Sequence, residues 1–116
     1  IRAGMESIGF LTYDILEQMK PIAISWPKKL TASGGGARSP LLQFIADLTG
    51  VPVCPSTMKD RTAYGVYQLI RPKEKNLSKF KESYFNLTFH PSMTKDQQKS
   101  KVNCWHKALG SAGLIK

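Results

Sequence analysis

Residues 1–20, IRAGMESIGFLTYDILEQMK, place Met5, Ile8, Leu11 or Thr12, Ile15, Leu16 and Met19 at three- and four-residue intervals, which predicts an amphipathic helix. Pro21 ends it, because a proline inside the pattern removes an amide donor and clashes with the preceding turn. Residues 28–32 (KKLTA) read as a short strand running into three glycines. Ser39 and Pro40 then supply an N-cap and a preset first residue for a second helix, with Leu41, Leu42, Ile45 and Leu48 apolar and Gly50 as its stop. Residues 51–54 (VPVC) predict a second short strand, in which Pro52 suits an edge or a strand start. Asp60 caps a third helix over 61–70, with Ala63, Val66, Tyr67 and Ile70 on one side. Gly65 in its middle costs about 1 kcal/mol against alanine, so a close neighbour, helix or ligand, is expected there. Residues 84–89 (YFNLTF) are strand-like, and Thr94 with Gln97 forms a capping box for a last helix that turns Val102, Trp105, Ala108 and Leu109 inward. This alternation predicts an α/β fold with a largely parallel sheet and right-handed connections.

Composition supports a packed domain: the 116 residues are 41% hydrophobic and 22% charged, which excludes a disordered chain. Apolar runs fall short of the roughly 18 residues a membrane span needs, and no signal-peptide pattern opens the chain, so a cytoplasmic protein without a membrane partner is expected. The chain begins at Ile1 with a helical pattern already under way at Arg2, as a piece of a longer chain would. Cys54 and Cys104 lie far apart without CxxC or paired-histidine spacing, which points away from a metal cage or a disulfide framework and towards reduced, partly buried thiols. The net charge of +9 raises nucleic acid as a partner. Its lysines, however, concentrate in residues 71–83 and 95–101, a solvated connection and one exposed helix face, with no nucleic-acid module and no interleaved aromatics. Nucleic acid is therefore not the expected partner.

The candidate chemistry lies in residues 31–42, TASGGGARSPLL. A strand that enters consecutive glycines and leaves through a capped helix lets the backbone approach a ligand, because glycine lacks a Cβ and adopts positive φ. Free amides and the positive end of the helix dipole then favour an anion. No GK[ST] follows the glycines, and G-x-G-x-x-G fails at its spacing, so neither the P-loop nor the dinucleotide fingerprint is present. On local physics alone, a ligand cradle and a plain strand-to-helix turn both stand. His90 and His106 have no nearby nucleophile and read as surface or capping residues. Asp14, Glu17 and Asp47 are better explained as a solvated face than as a carboxylate set. Trp26 and Trp105 read as core or cleft-edge anchors, and the sequon at Asn86 carries little weight in a cytoplasmic chain.

Five stretches, RAGMESIGFLTYDILEQM, LTASGGGARSPLLQFIADLTGVPV, TAYG, FHPSM and CWHKAL, occur in the order and spacing of one family. The chain resembles the C-terminal domain of the FGGY carbohydrate kinases, which include glycerol, xylulose and gluconate kinases. The glycine block with ARSP and the following Gln43, Ala46 and Asp47 is the specific signal; LLQF and FHPSM lean towards glycerol kinase, GGGARSP towards xylulose- and gluconate-type enzymes. The resemblance implies a ribonuclease H-like domain of the actin-like ATPase superfamily, incomplete over residues 1–116, with mostly parallel strands and flanking helices. The start of that domain and the whole N-terminal domain would lie outside the sequence.

It further implies that Gly34 and Gly35 lie against ATP or ADP, that Gly36 completes the turn, and that Arg38 touches the nucleotide edge. Asp60 and Tyr64 replace the family's usual Glu and Leu in DRTAYGVY, where Ala63 and Gly65 keep a small-residue face for packing against the sheet. Magnesium ligands, the catalytic carboxylate and most contacts to the sugar or polyol are implied to lie elsewhere, leaving this segment inactive alone and prone to self-association through an exposed sheet edge or face. Two readings compete with it: an autonomous nucleotide or anion binder, and a degenerate remnant serving as a structural module.

Overall fold

The computed structural model describes residues 1–58, 60–70 and 87–114. In chain order these form α1 (Arg2–Met19) with a single 3₁₀ turn (Lys20–Ile22), β1 (Leu30–Ala32), α2 (Ser39–Thr49), β2 (Val53–Pro55), α3 (Arg61–Ile70) and α4 (Lys95–Ser111). The lysine-rich 71–83 connection and Tyr84, Phe85 and Asn86 of the third strand candidate lie outside the described residues.

β1 and β2 pair in parallel, with Leu30 opposite Val53, Thr31 opposite Cys54 and Ala32 opposite Pro55. The ladder extends at both ends: Leu30 N–H donates to the Pro52 carbonyl and Ser56 N–H to the Ala32 carbonyl, each at 2.8 Å. Val53 spends both backbone groups on Phe89, as an antiparallel bridge with two 2.9 Å bonds. β2 therefore lies between β1 and Phe89, and the end of the 84–89 candidate does join the sheet.

The core is organised around α2, which is buried on two sides. Leu41, Leu42, Ile45 and Ala46 pack with Val53 against the sheet, joined by Met5, Leu30, Ala32, Ala37 and Phe89. Phe44 and Leu48 pack the other way, with Phe10 of α1 and Val102 of α4. The Phe10 ring meets Phe44 edge-on at 5.3 Å and stacks on Trp105 at 5.1 Å, both favourable ring geometries. The Gln98 side-chain amide donates to the Leu48 carbonyl, satisfying one of the acceptors that the end of α2 leaves open.

Gly9 makes the close crossing of α1 on α2 possible. A Cβ there would lie 2.5 Å from Phe44 Cδ1 and 2.9 Å from Cε1, inside contact distance. Gly9→Ala gains up to about 1 kcal/mol of helix propensity but overpacks the site by about 1–3 kcal/mol. The expected outcome is a net loss of stability in denaturant titration. A raised midpoint would show that the Phe44 ring shifts without cost.

The ends of the elements follow local chemistry, with one displacement. Gly50 ends α2 at φ +68° and donates to the Ala46 carbonyl at 2.9 Å. The Asp60 carboxylate caps α3 by accepting from Ala63 N–H at 2.9 Å, and both halves of the Thr94–Gln97 capping box are formed. Ser39, however, is the first helical residue of α2 and not its N-cap. Arg38 holds that position, extended at φ −95° and ψ 147°, because its carbonyl accepts the first helical bonds from Leu41 and Leu42 at 3.0 Å.

Three expectations about packing faces are corrected. α1 buries Gly9 and Phe10, whereas Ile8, Leu11, Ile15 and Met19 stay exposed. No residue of α3 is buried, Ala63 and Val66 are exposed, and a Cβ on Gly65 would meet nothing within 4 Å, so the small-residue face is not packed against the sheet. In α4, Val102 is buried and Trp105 and Leu109 are half-buried, but Ala108 faces outward.

Candidate functional site

β1 ends at Ala32 and the chain turns through Ser33, Gly34, Gly35 and Gly36 into α2. Gly34 adopts φ +101°, a left-handed backbone that a side chain with a Cβ rarely takes, whereas Gly35 and Gly36 do not. Two backbone bonds close the turn: Ala37 N–H donates to the Gly34 carbonyl at 3.1 Å and Arg38 N–H to the Gly36 carbonyl at 2.8 Å. The amides of Gly34, Gly35 and Gly36 have no hydrogen-bond partner among the described residues. A Cβ built on any of the three would meet nothing within 4 Å, so the turn borders open space on the outside of the fold. It has the features of a cradle: free donors, no side chains in the way, and the N-terminal end of the eleven-residue α2 behind it.

The surroundings are polar. Because β1 and β2 run parallel, the turn after β2 lies beside the glycine turn, tied to it by the Ser56–Ala32 bond. Ser56 Oγ accepts from Met58 N–H at 3.2 Å, which orders this second turn. Ser33, Ser56 and Thr57 thus bring hydroxyl groups to the carboxyl ends of parallel strands, the edge at which open α/β sheets bind ligands. Arg38 follows the glycines with an exposed side chain at the head of α2.

The other candidates separate into structural tasks. Asp14 is not on a solvated face: its carboxylate accepts from Trp105 Nε1 at 2.9 Å and pairs with His106 Nε2 at 2.8 Å, tying α1 to α4. Asp47 Oδ1 gathers donors from Gln43 at 3.0 Å, Ser92 N–H at 2.7 Å, Ser92 Oγ at 3.0 Å and Met93 N–H at 3.3 Å. Gln43 also donates to the His90 carbonyl at 2.9 Å, so this pair on one face of α2 holds the segment before α4. Its four-residue spacing was the signal for that role. Glu17 pairs with Lys20 on the surface. Burial pushes the Tyr13 phenol above its ordinary range, assisted by the negative charges of Glu17 and Asp14 and opposed by Lys20.

Cys54 is buried near the Thr88 hydroxyl at 3.4 Å and Cys104 is exposed; both are free thiols. Trp26 is half-buried with Lys20 Nζ 5.2 Å from its ring centre. Among the described residues no three His, Cys, Asp or Glu side chains group to hold a metal ion, and no helix is long and apolar enough to cross a membrane. The chemistry concentrated at one place is the glycine turn.

The chain is similar to known proteins. Residues 1–69 match the profile of the FGGY family of carbohydrate kinases, C-terminal domain. The glycerol kinase of Herminiimonas arsenicoxydans is 34% identical over 119 aligned positions, covering 96% of this chain and 23% of that protein. The glycerol kinase of Parabacteroides distasonis is 32% identical, covering 94% of this chain and 23% of its own length. Among solved structures, that of Plasmodium falciparum glycerol kinase with ADP superposes with a TM-score of 0.71 at 25% identity, covering 99% of this chain and 24% of that one. The chain thus spans about a quarter of the length of the curated relatives it matches.

Proposed function

Because the chain belongs to the FGGY family of carbohydrate kinases, within its C-terminal domain, we propose that it is the nucleotide-binding part of an ATP-dependent sugar or polyol kinase. The observation that carries this reading is the open glycine turn, with three unpartnered amides at the head of α2, in a chain whose structural neighbour was solved with ADP. Gly34, Gly35 and Gly36 lie against the nucleotide and offer their N–H groups to its negative charge, with the α2 dipole adding to the attraction. Arg38 sits at the nucleotide's edge, where its planar guanidinium is suited to stacking or to pairing with an acceptor.

Phosphoryl transfer asks a protein mainly for positioning and charge stabilisation. On this reading residues 1–116 form one partial domain that positions the nucleotide, in a cytoplasmic enzyme. Activation and binding of the acceptor alcohol, and the ligands of Mg²⁺, belong to parts of the kinase outside it. The glycerol kinases among its relatives make glycerol the first acceptor to assay.

Two outcomes follow for the purified chain. ADP at one hundred times its dissociation constant stabilises the fold by about 2.7 kcal/mol, read as a raised thermal midpoint. Glycerol or sugar added with ATP produces no turnover above background. Robust acceptor-dependent turnover would make the chain a complete catalytic unit and overturn this reading; the absence of nucleotide protection at any concentration would reduce the glycines to a plain turn.

A further inference from the structure

Ser39 stands beside the glycine turn, and the nucleotide reading makes no use of its hydroxyl. Of the seven prolines in the chain only Pro40 follows a serine or threonine, so Arg38-Ser39-Pro40 is its single Ser/Thr-Pro site. A hydroxyl residue directly before proline is the pattern that proline-directed serine/threonine protein kinases select. The structure leaves this hydroxyl available. Because Arg38 and not Ser39 is the N-cap of α2, Ser39 Oγ is not spent on a helix amide, and it has no hydrogen-bond partner among the described residues. The flanking chain is accessible as well: residues 33–36 and 38–40 are all exposed, and a Cβ on any of the three glycines would meet nothing within 4 Å.

From these observations we propose that Ser39 is a phosphorylation site for a proline-directed protein kinase, and that its phosphate keeps ADP or ATP off the adjoining glycine turn. The inference rests on the nucleotide reading above and names a regulation of the same site. Ser39 Oγ attacks the γ-phosphorus of the protein kinase's ATP; the Oγ–P bond forms as the bond to the departing ADP oxygen breaks, and the hydroxyl proton passes to the protein kinase's base. The product adds about 1.5–2 negative charges at neutral pH. It does so three residues after Gly36, and the single charge of Arg38 beside it cannot cancel all of it. Nucleotide phosphates on the free amides of the turn would meet this charge at close range, so the two occupancies oppose each other. The helix itself accepts the group, because negative charge in the first turn of α2 is favoured by the helix dipole. The fold is therefore kept while the nucleotide is lost.

The test incubates the purified chain with a mitogen-activated protein kinase, ATP and Mg²⁺, removes the ATP, and reads the product by mass spectrometry and by calorimetry with ADP. The expected result is one added phosphate, mapped to Ser39 and absent from Ser39→Ala. The phosphorylated chain then binds ADP at least about tenfold more weakly, with its helical circular dichroism signal unchanged. The loss shrinks in about 0.5 M salt, because the charge is exposed, and phosphatase treatment reverses it. Ser39→Glu, with a single negative charge, weakens ADP binding to a smaller extent, and Ser39→Ala after the same incubation binds ADP like the untreated chain. Absence of phosphate on Ser39, or its transfer mainly to other residues, overturns the modification site. Equal ADP affinity with and without phosphate on Ser39 overturns the switch. An unmodified chain that takes up no ADP contradicts the nucleotide reading and the switch with it, whereas the labelling of Ser39 is judged on mass alone, so the two failures are read separately.

Discussion

Leu48→Ala is expected to lower the stability of the chain by about 2–5 kcal/mol and its thermal midpoint by roughly 10–20 °C. Leu48 is fully buried, and it is where α2 meets α1 and α4, packed with Phe10, Phe44 and Val102. Removing three carbons leaves a cavity that the Phe10–Phe44 pair is poorly placed to fill, because both rings are already fixed, one by Trp105 and the other by Gly9. A typical domain has only about 5–15 kcal/mol in total. The change therefore separates α1 and α4 from α2 while the sheet-side cluster of Leu42, Ile45 and Val53 keeps its own contacts. Denaturant unfolding followed by the fluorescence of Trp105 in a Trp26→Phe background measures it; a shift under about 1 kcal/mol would mean that this cluster is not the joint of the fold.

Gly35→Val is expected to lower ADP affinity at least about a hundredfold, or some 2.7 kcal/mol, with the fold unchanged. The position is chosen over Gly34 for a physical reason. Gly34 has φ +101°, so a β-branched residue there strains the backbone whether or not a ligand binds. Gly35 lacks a positive φ and has open space around it, so valine is tolerated by the chain itself and obstructs only a molecule lying on the turn. Calorimetry with ADP together with a thermal melt separates the two effects. Unaltered ADP affinity in Gly35→Val would place the nucleotide elsewhere.

The parts of the fold that sequence made legible are those fixed by neighbours in the chain. Pro40, Gly50 and the Leu41-to-Leu48 pattern mark α2 because capping and periodicity act over a single turn, and Thr94 with Gln97 marks α4 for the same reason. Even there the N-cap moved by one residue, since which carbonyl accepts the first helical bond is decided by Arg38 backbone geometry and not by the preference of Ser39. The α1 pattern fits two faces equally well. What selects the inner one is the missing Cβ of Gly9 against the Phe44 ring, a contact between elements. The partners of Asp14, namely Trp105 and His106, lie more than ninety positions away and leave no local trace. For α3, the cap and the length were legible in the sequence, but none of its residues is buried and a Cβ on Gly65 would meet nothing within 4 Å, so no close neighbour explains that glycine. The glycine turn itself was legible as a strand-to-helix junction with amides available to an anion, and the choice between an open cradle and a closed turn came only with the structure.

The most direct measurement is a titration of ADP into isotopically labelled chain, following backbone amide resonances by two-dimensional nitrogen–proton NMR. The account predicts that the amides of Gly34, Gly35 and Gly36 shift together and saturate with one dissociation constant, with Arg38 and the first turn of α2 moving alongside them. Saturable shifts confined to other parts of the chain, or none at all at millimolar ADP, would contradict it.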